Sequence, residues 1–235
     1  LQWHWLAAVL LATGVVVAFG LFMERFIYRP IQRHEGAFFT VFIAAFGTQI
    51  IIQNLVGTVF GRGFETVSVD LSRSVELLPE LWVAPIAGVA ILTAVILFAV
   101  LGWFLAGSHI GTGLRALSDN PDLVRVFGMQ PTRLAQVAFA LGSALVVPAA
   151  VFTTVTQGIN PNIGHHIMLI SLASTIVGGI GSLKGAALGG LLIGLAESMA
   201  IWHFDPQWSE AVTFVMLFLF IVFKPAGLLG RATTK

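Results

Sequence analysis

The sequence contains no cysteine, a single tyrosine and few charged side chains, which make up 10% of its 235 residues. The lack of cysteine excludes disulfides and thiolate metal sites, although it does not indicate a compartment. So few charged residues cannot cover the surface of a soluble globular domain. The twelve basic residues are scattered between apolar runs and the net charge is only +1. We therefore predict no nucleic-acid partner.

Most of the chain is apolar: 57% of the residues are hydrophobic, and 25 residues are glycine. A helix needs about 20 apolar residues to cross the hydrocarbon core of a bilayer. The sequence thus predicts an all-α, polytopic membrane bundle forming a single transmembrane domain over residues 1–235. We expect about seven spans, near residues 4–23, 37–59, 83–105, 134–156, 166–181, 185–202 and 211–223.

The distribution of Lys and Arg predicts the orientation of these spans. If the polar stretch 106–133 is cytoplasmic, ten basic residues lie inside and only Arg62 and Arg73 lie outside. Such an excess of basic residues is typical of cytoplasmic loops. We therefore expect segment 61–82 to be periplasmic and the C-terminus to be cytoplasmic.

Residues 113–133, which we call the elbow, are the longest polar passage between the two apolar halves. Asp119, Asn120 and Pro121 should stop one helix, because a residue that precedes proline is disfavoured in the helical region. A second short helix should begin there, with Asn120 as its cap and Pro121 in its first turn. Gly128 should end that helix in a left-handed conformation. Leu123, Val126 and Phe127 would then face an apolar partner.

Glycine recurs at four-residue spacing in the stretch 178–194. Small residues at this spacing allow helix backbones to approach closely in a membrane. Lys184 in the same stretch lacks the Gly-Lys-Ser/Thr context of a nucleotide-binding loop, so we predict helix packing there and no ATP site. The predicted packing residues are Gly181, Gly185, Gly189, Gly190 and Gly194.

Two sets of polar side chains fall inside predicted spans. Gln49 and Gln53 are four residues apart and share a helix face, with Asn54 beside Gln53. These amides are typical of hydrogen bonds between helices, and the lining of a polar substrate path is the alternative. Glu197 is an ionisable group inside the sixth span, where such a group is by default a functional candidate, and it can also be hydrated or paired near the outer interface.

Signatures of catalysis are absent. The sequence contains no nucleophile elbow and no His-Glu-x-x-His motif. His165 and His166 are adjacent in an outer turn, but no third ligand accompanies them. We predict neither catalytic residues nor a metal site, and we predict no cofactor.

Three blocks of the sequence resemble the permease family of branched-chain amino acid ABC transporters. The first is ERFIYRPIQRHEG followed by AAFGTQIIIQNLVGTVFG. The second is RALSDNPDLVRVFGM, and the third runs from GGIGSLKGAALGGLLIGLAES to FKPAGLLGR. In sequence order they cover most of the chain. A departure occurs at His165-His166-Ile167, so a different substrate, as in the related urea and amide permeases, stays open.

The resemblance implies a permease subunit in the inner membrane that is driven by separate cytoplasmic ATPase subunits. It also implies a second permease subunit, identical or paralogous, and a periplasmic substrate-binding protein as partners. The cytoplasmic loop would contact the ATPase, which makes the elbow the coupling segment. The residues that match the loop are Arg115, Asp119, Asn120, Pro121, Leu123, Val126, Phe127 and Gly128. An ion-coupled secondary transporter that uses Glu197 or the Gln49 face is the alternative.

The chain begins at Leu1, without an initiating methionine or a signal-peptide pattern. The resembled family has further helices before the first one present here. We therefore expect an upstream part of the protein.

Overall fold

A computed structural model of the chain describes residues 2–33, 38–67, 75–78, 81–119, 121–205, 208–224 and 226–230. The helices fall into two compact units, residues 1–160 and 161–235, and each unit is described by itself.

The first unit begins with a helical segment that is longer than the sequence predicts. Helix α1 (Gln2–Met23) continues without interruption through a π-helical turn (Glu24–Tyr28) into α2 (Arg29–Arg33). The predicted end of this span near residue 23 is therefore wrong. Phe26, Ile27 and Ile31 continue the apolar run, so the three charged residues within it, Glu24, Arg25 and Arg29, do not stop the helix.

Five further helices complete the described part of the first unit. Helix α3 (Phe38–Val59) and helix α4 (Pro85–Gly107) are separated by a short antiparallel hairpin of β1 (Val75–Leu78) and β2 (Leu81–Val83). Two shorter helices follow, α5 (His109–Asp119) and α6 (Pro121–Val126), and then the long helix α7 (Pro131–Gln157). The sequence did not indicate the hairpin, because neither strand shows a clear alternation of apolar and polar residues.

Close packing of α1 against α7 holds this unit together. A Cβ at Gly20 would collide with the hydroxyl of Ser143, so a larger residue would force this side chain to rotate or the helices to move apart. Nearby, the Tyr28 ring stacks on Phe139 with the ring centroids 5.3 Å apart. Beyond Pro148, α7 stays helical to Gln157. Just after its C-terminal end, Glu65 and Ile159 exchange backbone hydrogen bonds of 2.9 and 2.7 Å, which tie the segment after α3 to the end of α7.

The second unit consists of α8 (Ile163–Gly178), α9 (Leu183–His203) and α10 (Ser209–Phe223). Its core contains Ala173, Val177 and Ile193, and the last two are fully buried. Ser182 accepts a hydrogen bond from the Gly185 N–H at 3.0 Å and so caps the start of α9.

Helix length and composition agree with a membrane bundle. In the part of the chain that the structure describes, five helical segments are long and apolar enough to cross a bilayer. Two shorter apolar helices, α8 and α10, accompany them. The predicted fold class is confirmed, whereas the total of about seven spans remains a prediction.

Candidate functional site

Hydrogen bonds at Ser108 specify how the chain enters the elbow. Ser108 ends α4 by donating its backbone N–H to the Phe104 carbonyl at 3.1 Å. The Ser108 hydroxyl accepts the N–H of Gly111 at 2.8 Å and so starts α5. One serine therefore both ends the span and redirects the chain into the elbow.

The two elbow helices break where the sequence predicts. Asp119 is the last residue of α5, and Pro121 is the first residue of α6. Asn120, the predicted cap, lies outside the described residues. Arg115 is exposed on α5 and donates to the Thr112 hydroxyl at 3.4 Å.

Helix α6 ends in a Schellman motif. The Met129 N–H donates to the Val124 carbonyl at 3.2 Å, and the Gly128 N–H donates to the Arg125 carbonyl at 3.0 Å. Gly128 has φ +77°, the left-handed conformation that this motif requires. The chain therefore turns sharply after α6, which leaves the residues of that turn at the surface.

This turn divides the apolar residues of the elbow into an anchor and an exposed pair. Val124 is fully buried, whereas Val126 and Phe127 are 80% and 76% exposed. Leu123 lies in the middle of α6. The sequence grouped Leu123, Val126 and Phe127 as one exposed face, and it missed Val124 as the residue that fixes α6 in place.

The three predicted amide side chains of α3 also differ in their exposure. Gln49 and Gln53 are partly buried along α3, but Asn54 is exposed. Asn54 donates to the Ile50 carbonyl at 2.8 Å, and its side-chain oxygen accepts a hydrogen bond from Arg62 at 3.2 Å. Asn54 therefore bonds to its own helix and to the start of the outer segment, while the two glutamines keep a shared face.

Glu197 joins two helices of the second unit. Its Oε1 atom accepts hydrogen bonds from the hydroxyls of Thr213, at 2.9 Å, and Ser209, at 3.2 Å. Both donors are buried on α10. The glutamate is thus fixed by its neighbours and presents a carboxylate oxygen of defined orientation.

The adjacent histidines of the sequence, His165 and His166, lie on α8 of the same unit. His166 Nε2 is 3.9 Å from Glu210 Oε1, and both side chains are partly exposed. Among the described residues no group of three His, Cys, Asp or Glu side chains could hold a metal ion.

The predicted glycine stripe serves the contact between α8 and α9 only in part. A Cβ at Gly185 would overlap the backbone of Gly178, and a Cβ at Gly189 would overlap the backbone of Ser174. By contrast, no described atom lies within 4 Å of a Cβ at Gly190 or Gly194. These two glycines lie on other faces of α9 and take no part in this contact.

Gly181 differs from the other members of the stripe because it lies in the turn between α8 and α9. Its φ is +86° and the space around it is open. Its role is therefore conformational: it allows the chain to reverse direction between the helices.

A further contact at this end of the bundle was not predicted. The N–H groups of Leu228 and Leu229 donate to the carbonyls of Val177 and Gly178 at 2.8 and 3.0 Å. These carbonyls belong to the last turn of α8, where no partner exists within the helix. The turn 226–230, which we call the clasp, therefore caps α8 from the far end of the chain. Its only sequence signal is the pair of glycines in AGLLG.

The analysis of spans also missed Glu24 and Arg29. Glu24 is 3% exposed, and its Oε2 atom has no hydrogen-bond partner among the described residues. The Nε atom of Arg29 is buried and likewise lacks a partner there. Burying an unpaired polar group costs about 1–3 kcal/mol, so such groups call for an explanation. The available signal was the apolar sequence on both sides of Glu24.

Comparison with known proteins gives a consistent result. The family model described as "Branched-chain amino acid transport system / permease component" matches residues 1–221. The permease protein BraD of a high-affinity branched-chain amino acid transport system, from Pseudomonas aeruginosa, is 33% identical over 96% of this chain and 75% of its own length. Its counterpart LivH of Escherichia coli K12 is 29% identical over 97% of this chain and 76% of its own length.

A more distant relative has a different named cargo. The autoinducer 2 import system permease protein LsrC of Escherichia coli O9:H4 is 26% identical over 55% of this chain and 40% of its own length. No solved structure matches the chain significantly.

Proposed function

The chain belongs to the branched-chain amino acid transport permease family, and from this membership we propose that it is the membrane subunit of an ATP-driven importer of branched-chain amino acids. The family match over residues 1–221 carries the proposal. The protein is a multi-pass membrane protein, and the excess of basic residues on one side supports a bacterial inner membrane with a cytoplasmic C-terminus.

The energy for transport comes from a separate ATPase that binds the elbow. Val126 and Phe127 form a rigid apolar pair, because a Schellman motif and the buried Val124 fix the turn that carries them. Exposed apolar side chains held in this way are suited to insertion into a pocket of a partner protein. Arg125, the residue before this pair, is exposed as well. Movement of the ATPase would thus be transmitted to α5, α7 and the spans.

Substrate passes along a path to which Gln49, Gln53, Asn54 and Glu197 contribute. Gln49 and Gln53 support this part of the proposal by sharing one partly buried face of α3. Glu197 supports it as a fixed carboxylate in an otherwise apolar unit. A second permease subunit and a periplasmic binding protein complete the assembly. A secondary transporter is not favoured, since the relatives above are permeases of import systems.

The test uses proteoliposomes that contain the permease with its ATPase and binding protein. We expect uptake of labelled leucine to require ATP and to be insensitive to an ionophore. The double variant Val126→Asp with Phe127→Asp should lose co-purification of the ATPase and reduce uptake by about tenfold or more, since it places two charges in an apolar contact.

The chain also offers a matched control, because Val59 and Phe60 form the same exposed Val-Phe dipeptide at the C-terminal end of α3. The aspartate variants of that pair should still bind the ATPase. Wild-type co-purification and uptake by the Val126 and Phe127 variant would refute the coupling role. Uptake of urea or short amides in preference to leucine would refute the substrate class.

A further inference from the structure

The strongest unexplained feature of the first span is a buried glutamate, Glu24, followed by a half-buried arginine, Arg29, each with one side-chain atom that is inaccessible and lacks a partner among the described residues. Glu24 Oε2 and Arg29 Nε are both inaccessible, and no described residue satisfies either atom by a hydrogen bond. Neither atom satisfies the other. Polar groups in such positions are rare in folded proteins, and inside a membrane span an ionisable residue is by default a functional one.

The backbone places the two residues one π-helical turn apart. The Arg29 N–H donates to the Glu24 carbonyl, which closes the wide turn between α1 and α2. Turns of this kind occur frequently at functional sites. The π turn therefore places Glu24 and Arg29 at the two ends of one backbone hydrogen bond, while Glu24 Oε2 and Arg29 Nε lack partners among the described residues.

An aromatic pair lies next to Arg29 in the chain. Tyr28, the residue before Arg29, stacks on Phe139 of α7 with the ring centroids 5.3 Å apart. A ligand for this place thus needs a positive group, a negative group and an apolar remainder. An inorganic cation would be repelled by Arg29, and an inorganic anion would be repelled by Glu24.

We propose that Glu24 and Arg29 bind the main-chain charges of the transported amino acid, with the Glu24 carboxylate accepting hydrogen bonds from its ammonium group and the Arg29 guanidinium donating to its carboxylate. This inference rests on the proposed function, since it deepens the assignment of an aliphatic amino acid as cargo. Charge-assisted hydrogen bonds of both signs recognise a zwitterion and reject a molecule that carries only one charge. The aromatic neighbours accept the aliphatic side chain.

The position of Glu24 and Arg29 along the span indicates where the proposed site lies on the transport path. Glu24 and Arg29 lie near the end of the apolar segment Ala7–Ile31, next to the basic residues that predict the cytoplasmic side. The site is therefore the inner one, from which cargo leaves. The carboxylate of Glu197 is already held by two hydroxyl groups and offers no comparable unpaired pair of charges.

The experiment measures binding to the purified permease–ATPase complex without the binding protein, so that only sites on the membrane part contribute. Three probes are used: leucine, 4-methylpentanoate, which lacks the ammonium group, and 3-methylbutylamine, which lacks the carboxylate. We expect each analogue to bind the wild type at least tenfold more weakly than leucine, because each loses one charge-assisted contact. Glu24→Gln should weaken the binding of leucine by about tenfold and leave the affinity for 4-methylpentanoate unchanged. Arg29→Gln should weaken the binding of leucine and leave the affinity for 3-methylbutylamine unchanged.

Arg25→Gln is the matched control, since Arg25 is exposed in the same π-helical turn. It should bind all three probes like the wild type. This ligand-specific pattern would not arise from a structural role, which would weaken all probes alike. If Glu24→Gln and Arg29→Gln bind leucine normally while the wild-type importer takes up leucine, the site is refuted and the proposed function stands.

Failure of the wild-type importer to take up leucine would refute the proposed function itself. If the variants fail to fold, the measurement on the wild type still tests the site. Equal affinity of the wild type for leucine and the two analogues would refute recognition of a zwitterion.

Discussion

Thr213 on α10 donates its hydroxyl to Glu197 on α9 across 2.9 Å, and this bond joins the two helices within a largely apolar unit. The Ser209 hydroxyl donates to the same Oε1 atom, so one acceptor serves two donors. In a bilayer no water competes for these groups, and the bond fixes the rotation of α10 about its axis. Glu197 is thus an interhelical link as well as a candidate for the substrate path.

A double-mutant cycle separates these two roles. Thr213→Val should destabilise the purified protein by about 0.6–1.7 kcal/mol, the range measured for hydrogen bonds between membrane helices. The same change should cost less in a Glu197→Ala background, because the partner is already missing. Thermal unfolding in detergent measures both quantities. Equal effects of Thr213→Val in the two backgrounds would show that the bond contributes no stability.

Glu197→Gln keeps the oxygen acceptor and removes the charge. If Glu197 contributes to transport, this variant should unfold at nearly the wild-type temperature but take up leucine several-fold more slowly in proteoliposomes. Normal uptake by a stable Glu197→Gln protein would remove Glu197 from the path and leave only its packing role.

Two adjacent glycines on α9 should respond in opposite ways to replacement by alanine. Gly189→Ala places a Cβ against the Ser174 carbonyl, and overpacking of this kind should cost about 1–3 kcal/mol and lower Tm by roughly 3–10 °C. Gly190→Ala meets open space and should leave Tm unchanged or slightly raised, because alanine favours helix over glycine. Similar melting curves for the two variants would contradict the packing of α8 on α9 described above.

A second pair of glycines tests the clasp. Gly227 and Gly181 both have positive φ, so an alanine is strained at either position. Only at Gly227 would the Cβ also overlap the backbone of Gly179. Gly227→Ala should therefore reduce stability by at least about 1 kcal/mol more than Gly181→Ala, as measured by thermal unfolding. If Gly181→Ala is the more damaging of the two, the clasp does not cap α8 as the structure indicates.

The absence of native cysteine makes the orientation directly testable. Thr66→Cys lies in the exposed start of the predicted periplasmic segment, and Val126→Cys lies in the elbow. A membrane-impermeant maleimide should label Thr66→Cys in intact cells of a Gram-negative host, whose outer membrane admits it. It should label Val126→Cys only after the inner membrane is opened. The reverse pattern would invert the predicted topology.

Sequence reasoning succeeded where one residue type enforces a local conformation. Pro121 starts α6 and Gly128 ends the turn after it, because the ring of proline and the missing Cβ of glycine act within a few residues. It failed where an outcome depends on distant neighbours. Gly189 and Gly190 look alike in the sequence, and only the position of α8 decides which one is packed.

The sequence by itself determined that the chain is a helical membrane protein, where most helices begin and end, and which family it belongs to, since composition, hydropathy and punctuating residues act locally. The tertiary structure alone decided that Val124 anchors the elbow while Val126 and Phe127 remain exposed, and that Glu197 is held by α10. It also decided that Glu24 is buried and that its Oε2 atom has no hydrogen-bond partner in the described part of the chain, because burial and hydrogen bonding depend on contacts between elements that are far apart in the chain.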